Sequence, residues 1–362
     1  MKYRFLILFF SFFFFLFYFF FNNIFKEFKD NSKNLKILTW SNTFDLETIK
    51  KFEKETGIKA IITYYGTNEE LIAKLTIDNS TFDIVMPSDY AIKVLVKKNL
   101  IKELNKNKLI HLKDLKKEFL DVAYYQDAFV CMPFEWIIYG LALKKDILKL
   151  FQSDDDVYNA FFNGYKDEKK LRISSTNDFL TAFNAALNHY KHNFPNNKIE
   201  RQEDLYNIIF EILLKQREYT SIYSDERLNF LFESNIIDMA YMPSDQFMIA
   251  KKKTPDLMFI IPSYGFIKSI ECLAIPKDSK NEELAYEFIN FITNKEVSKN
   301  IINVLNVFPA NLKYLDEMNK NEMNILEKFI YKLVNSNFKE HFINELFDAE
   351  KSIKLWIALK SR

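Results

Sequence analysis

Leu35-Lys-Ile-Leu-Thr-Trp40 and Phe82-Asp-Ile-Val-Met-Pro-Ser-Asp-Tyr90 are short apolar runs that each break off into polar and aromatic residues. Between them, Asp45 to Thr56 carries Leu46, Ile49 and Phe52 at helical spacing, and Gly57 follows where a helix would stop. Ala60-Ile-Ile-Thr-Tyr-Tyr65 reads as another strand and Asn68 to Ile77 as another helix. The alternation of strand, helix, strand, helix and strand predicts parallel strands joined by crossover helices. In sheets of that kind ligands bind beyond the carboxyl ends of the strands, which is where Trp40, Ser88 and Tyr90 fall.

A chain of 362 residues has room for two lobes, each with its own core. With 48% hydrophobic and 27% charged residues, most of it is expected to be globular rather than disordered. The formal net charge of +1 offers no global field for nucleic acid, and no arginine-rich patch stands out. Preference for a charged ligand must therefore come from local placement.

Lys2 and Arg4 precede an apolar run from Phe5 to Phe21 that only Ser11 and Tyr18 interrupt. A membrane-spanning helix needs roughly 17–25 apolar residues, so residues 1–21 read as an uncleaved signal anchor or, alternatively, as a cleaved signal peptide. No small-x-small cleavage site follows, and the first cysteine is Cys131, too far away for lipidation at the junction. The leading basic residues would stay cytoplasmic and place the rest of the chain outside, with the polar residues 22–34 as a tether. The membrane would be met through this segment only.

Enzyme chemistry is not apparent. The glycines are Gly57, Gly66, Gly140, Gly164 and Gly265, which cannot assemble a phosphate-binding loop, and neither a nucleophile elbow nor a zinc-protease helix is present. His189 and His192 are three apart but lack a neighbouring acidic or cysteine ligand, so an exposed helix face is expected there rather than a metal site. Cys131 and Cys272 lie in apolar, strand-like contexts and read as core residues. No catalytic, metal or cofactor residue is nominated.

Several fragments, in order, resemble one family. They are Leu35 to Trp40, Glu55 to Lys59, Tyr65 to Glu69, Ala73 to Leu75, Phe82 to Tyr90, Pro133-Phe-Glu-Trp136, Glu271 to Pro276, Asn281 to Asn290 and, more weakly, Pro309 to Leu312. The chain resembles the extracytoplasmic spermidine/putrescine-binding proteins of bacterial ABC importers. That resemblance implies a two-lobed α/β periplasmic-binding-protein fold of type II, with a mainly parallel sheet flanked by helices in each lobe and crossover strands between them. Lobe one would take residues 35–134 plus 260–305, and lobe two 135–259 plus 306–362. The implied function is capture of a polyamine, putrescine or spermidine, in the inter-lobe cleft and delivery to inner-membrane permease subunits. The implied location is the periplasm, tethered by the N-terminal segment or released by its cleavage.

The resemblance also places residues. A polyamine needs carboxylates for its ammonium groups and flat apolar walls for its methylenes. Trp40 aligns with a cleft-wall ring, followed by Ser41 and Asn42; Ser88, Asp89 and Tyr90 supply a polar ligand, an acid and a wall; Asp178 and Glu271 align with the two principal carboxylates; Tyr241 and Asp245 occupy another wall. Plainer roles compete: a core tryptophan for Trp40, and helix caps for Ser88 and Asp178. The chain departs from the pattern where Asn42 replaces an acid, Thr43 a ring, Ser269 a tryptophan and Val307 a tyrosine, with Asp89 and Asp245 as new acids nearby. The alternatives are the same fold binding a different small solute, or a surface-anchored binding protein without a transport role.

Overall fold

In the computed structural model, which describes residues 33–41, 43–165, 170–225, 227–336, 339–342, 347 and 349–361, the first strand runs from Lys33 to Trp40. Asp45 caps the helix Leu46–Thr56 by accepting from Thr48 N at 2.9 Å, and Gly57 ends it in the left-handed region at φ 69°. The helix buries Thr48, Ile49 and Phe52. Phe52 meets the Phe288 ring edge-on at 5.0 Å, and burying a side chain of that size contributes about 1.5–3 kcal/mol. The chain returns as the parallel strand Ile58–Tyr65, in unbroken register from Lys33 opposite Ile58 to Trp40 opposite Tyr65. After the helix Asn68–Ile77, the short strand Ile84–Val85 joins on the other side, parallel to Ile37 and Leu38. The three strands therefore end together, and Trp40, Tyr65 and Met86 sit at one rim.

Met132–Lys144, thirteen residues long, is the centre of the second sheet. It runs antiparallel to Phe266–Leu273, Met239–Pro243, Leu257–Ile260 and Phe308–Pro309. Parallel pairing resumes beyond it, where Ile173–Ser175 lies between Met239–Pro243 and Thr220–Tyr223. This sheet is thus mixed, because the returning strand and the crossover strand run in opposite directions. The returning strand also reaches the first sheet, through antiparallel bridges pairing Val85 with Ala274 and Ser88 with Glu271.

Two apolar clusters result. One gathers Leu35, Ile37, Phe52, Ile84, Trp136 and Phe308 with their neighbours, and the other Phe161, Phe162, Phe183, Tyr206 and Trp356. Among the large side chains of the first cluster lies Lys268, 1% exposed, with Nζ 4.2 Å from the Phe119 ring centre, 4.9 Å from that of Trp136 and 3.1 Å from a Glu340 carboxylate oxygen. Burial lowers its ammonium below the ordinary lysine range, and Glu340 opposes that shift.

The histidine expectation needs correcting. His189 is buried, with its ring stacked 4.3 Å from that of Phe162, and desolvation lowers it to about 4. Its helix, Phe179–Asn193, is packed on more sides than a simple amphipathic stripe requires. Cys131 and Cys272 are free and buried. The proposed signal segment lies outside the described residues; among those described, no helix is long and apolar enough to cross a membrane.

Candidate functional site

Ser88 stands at the N-cap position of the helix Asp89–Lys97, yet its side chain makes no capping bond. Its hydroxyl turns instead to Glu271, 2.8 Å from Oε1 and 3.0 Å from Oε2. Asn68 holds it there: Asn68 Nδ2 donates to Ser88 Oγ at 3.1 Å, and Ser88 N donates to Asn68 Oδ1 at 3.2 Å. Trp40 Nε1 donates to Glu271 Oε2 at 2.8 Å, and Ser269 Oγ donates to Oε1 at 3.3 Å. Trp40 lies against Tyr65, ring centres 4.4 Å apart, while the Tyr65 hydroxyl donates to the Met86 carbonyl at 2.5 Å. The parallel register that aligns Trp40 with Tyr65 is what forms this wall.

Glu271 thus receives neutral donors only, and among the described residues no lysine or arginine pairs with it. Burial pushes its carboxyl up to about 7; Ser88, Trp40 and Ser269 pull the other way, while the neighbouring Asp89 adds to the rise. Asp89 is likewise pushed up to about 7 by burial, although its Oδ1 accepts from Ile270 N at 3.4 Å. Glu135 stands directly opposite Glu271 across the crossover strands and is 5% exposed. Burial first, then Glu271 and Asp245, hold its carboxyl well above the ordinary range. Glu135 Oε2 and Asp245 Oδ1 are both buried and without a hydrogen-bond partner.

Across from this group, Asp178 caps the helix Phe179–Asn193, accepting from Thr181 N at 2.6 Å. Its loop is braced by Asp225, which accepts from Thr176 Oγ1 at 2.6 Å and from Asn177 N at 2.9 Å. Tyr90 joins the two sides: burial raises its hydroxyl, and both Asp178 and Glu271 contribute to that rise. The structure therefore brings Trp40, Ser88, Asp89, Tyr90, Asp245 and Glu271 into one neighbourhood, with Asp178 facing it. Tyr241 is not among them. Strand alternation turns it into the second cluster, 5.6 Å from Phe161 and 6.1 Å from Tyr139 between ring centres. Ser41 is exposed in the turn after Trp40, and Asn42 lies outside the described residues. Asn68 and Tyr65 were not nominated from the sequence; the register with Trp40 places Tyr65, and the helix that begins three residues later places Asn68.

Buried carboxylates beside aromatic rings form a site for a cation rather than for an anion or a neutral sugar. Among the described residues, no three His, Cys, Asp or Glu side chains converge as a metal site.

A family model described as bacterial extracellular solute-binding protein matches residues 47–324. The chain belongs to that family. Curated relatives of this solute-binding protein include the putrescine-binding periplasmic protein SpuD of Pseudomonas aeruginosa, 28% identical over 76% of this chain and 77% of that protein. The putrescine-binding periplasmic protein PotF of Escherichia coli is 28% identical over 77% of this chain and 78% of its own length. Among solved structures, a putative spermidine/putrescine ABC transporter from Listeria monocytogenes superposes with a TM-score of 0.76 at 24% identity, covering 91% of this chain and 99% of that one. The Atu4243-GABA receptor superposes at 0.70 with 15% identity, over 91% of this chain and 98% of its own. The two-lobed α/β fold is thus shared by proteins whose names carry different ligands.

Proposed function

We propose that this chain is the extracytoplasmic solute-binding component of an ABC importer, that it captures a polyamine such as putrescine or spermidine, and that it passes the ligand to membrane permease subunits. The observation that carries this reading is Glu271, buried, bonded only by neutral donors and faced by a second buried carboxyl, beside the paired rings of Trp40 and Tyr65. Such a carboxylate gains most from an ammonium partner. The names of the relatives point the same way. Ligand contacts are assigned to Trp40, Ser88, Asp89, Tyr90, Asp178, Asp245 and Glu271, with Ser41 and Asn42 at the rim. Residues 35–134 plus 260–305 form lobe one and 135–259 plus 306–362 lobe two; packing of Trp356 and Phe347 on Phe183 supports placing the last helix with lobe two. Residues 1–21 hold the protein at the membrane from outside.

Thermal unfolding with added solutes tests the ligand. A ligand at 100 times its dissociation constant stabilises by about 2.7 kcal/mol, so putrescine or spermidine raises the unfolding temperature while amino acids and sugars leave it unchanged. A response to glutamate or arginine without one to polyamines would overturn the ligand assignment.

A further inference from the structure

Glu135 is a buried acid, one oxygen of which has no hydrogen-bond partner among the described residues. It stands inside Pro133-Phe-Glu-Trp136, where alternation sends Trp136 to one face of the crossover strand and Glu135 to the other. Trp136 is fully spent: its indole donates to the Pro309 carbonyl at 3.1 Å and its ring packs against Phe308 at 4.7 Å. Glu135 has no such partner for Oε2. A buried carboxyl oxygen without a partner is costly, and packing gives no reason to keep one near the start of this long strand.

Its neighbours define what it faces. From the Phe266–Leu273 strand comes Glu271, directly opposite; from the helix Ser244–Lys253 comes Asp245, with its own unpartnered oxygen; from the Ile58–Tyr65 strand comes the Tyr65 hydroxyl, whose titration senses both glutamates. From Phe308–Pro309 comes only Pro309, opposite Glu135 and without charge. Lys268 lies on the other face of its strand, with its ammonium over Phe119 and Trp136. Asp89, beside Glu271, adds another acid.

We propose that Glu135 and Glu271 together form a two-carboxylate seat for one primary ammonium of the ligand. The proposal rests on the polyamine reading given above. An alkylammonium has three N–H donors and can bond both carboxylates at once, with its stem leaving toward Trp40 and Tyr65. Two facing carboxyls cannot both ionise cheaply when empty, so binding releases a proton and is linked to pH through the pair rather than through Glu271 alone.

The test is titration calorimetry of the solubilised full chain with putrescine, spermidine and butylamine, for the native protein, Glu135→Gln, Glu271→Gln and the double variant, repeated from acid to mildly alkaline pH. Glu135→Gln should weaken putrescine and butylamine alike, by about tenfold or more, since each offers the seat one primary ammonium. Its affinity should also begin to fall at a lower pH, because Glu271 has lost a like charge. The double variant should lose less than the sum of the singles, since both carboxyls hold one group. The ligand-free unfolding temperature of Glu135→Gln should not drop, whereas a purely structural glutamate would lower it. Native protein that binds putrescine while Glu135→Gln matches it in affinity and pH profile overturns the seat and leaves the polyamine reading standing. Native protein that binds none of the three amines overturns both.

Discussion

Glu271 is the side chain on which the site turns, and its environment fixes two measurable outcomes. Glu271→Gln keeps the shape and removes the charge; losing a charge-assisted hydrogen bond costs about 1.5–3 kcal/mol, so polyamine affinity should drop roughly tenfold to hundredfold in calorimetry with the fold retained. The second outcome concerns pH. Glu271 and Asp89 sit at about 7 in the folded chain, above the ordinary carboxylate values of 4.5 and 3.8. A raised pKa means that the folded state keeps protons which the unfolded chain gives up, so the stability they contribute is full below the ordinary values and is lost as pH rises through about 7. A bound ammonium favours the ionised forms and reverses the trend. Melting curves across this window should show the ligand-free protein weakening and the putrescine-induced gain growing as pH rises. Trp40 and Ser88 stood out in the sequence because each follows an apolar run, whereas Glu271 was placed by the resemblance. Glu135 read as a residue of the first crossover able to face the cleft, and Asn68 only as a helix start, since its contact with Ser88 spans 20 positions.

The helix Phe179–Asn193 poses a question that substitution can answer, because Asp178 both caps it and faces the carboxylate group. Asparagine caps as well as aspartate, whereas alanine costs about 1 kcal/mol. Asp178→Ala should therefore lower the unfolding temperature and Asp178→Asn should not. If Asp178 also holds an ammonium, the asparagine variant alone separates the roles: stability stays and polyamine affinity falls. Equal affinity would reduce Asp178 to a cap. Elements near the amino terminus were readable because their contacts are local in pattern: Asp45 and Gly57 bracket the first helix, and the alternation of strand and helix fixes parallel pairing. The second sheet was not readable in the same way. Met132–Lys144 gathers its partners from positions 239 to 309, and no local periodicity reveals that they run antiparallel to it. The same gap misplaces Tyr241, since Tyr241 and Met242 point to opposite faces and only the register with Leu141 and Gly140 decides which enters which core.

For the molecule as a whole, the apolar run Phe5 to Phe21 and the absence of a small-x-small site after it set an expectation for the mature chain. Amino-terminal sequencing of protein recovered from membranes should return the original start; a new terminus near residues 22–30 would show a cleaved signal instead. The distance along the chain between the parts of the site has a further effect. Trp40 and Glu271 are 231 positions apart, and Ser88 and Glu271 are 183 apart, so the rim of the first sheet is joined only by a strand from the last third of the chain. Contacts of such long range are slow to form, because the loop they close must be ordered before they reward it. While the polypeptide is being made, its first hundred residues have strands but lack the one that seals them. In a newly synthesised chain this rim therefore cannot be completed until residues 266–273 have been made. The oldest strand of the sheet and one of its youngest partners thus meet at a single carboxylate, Glu271.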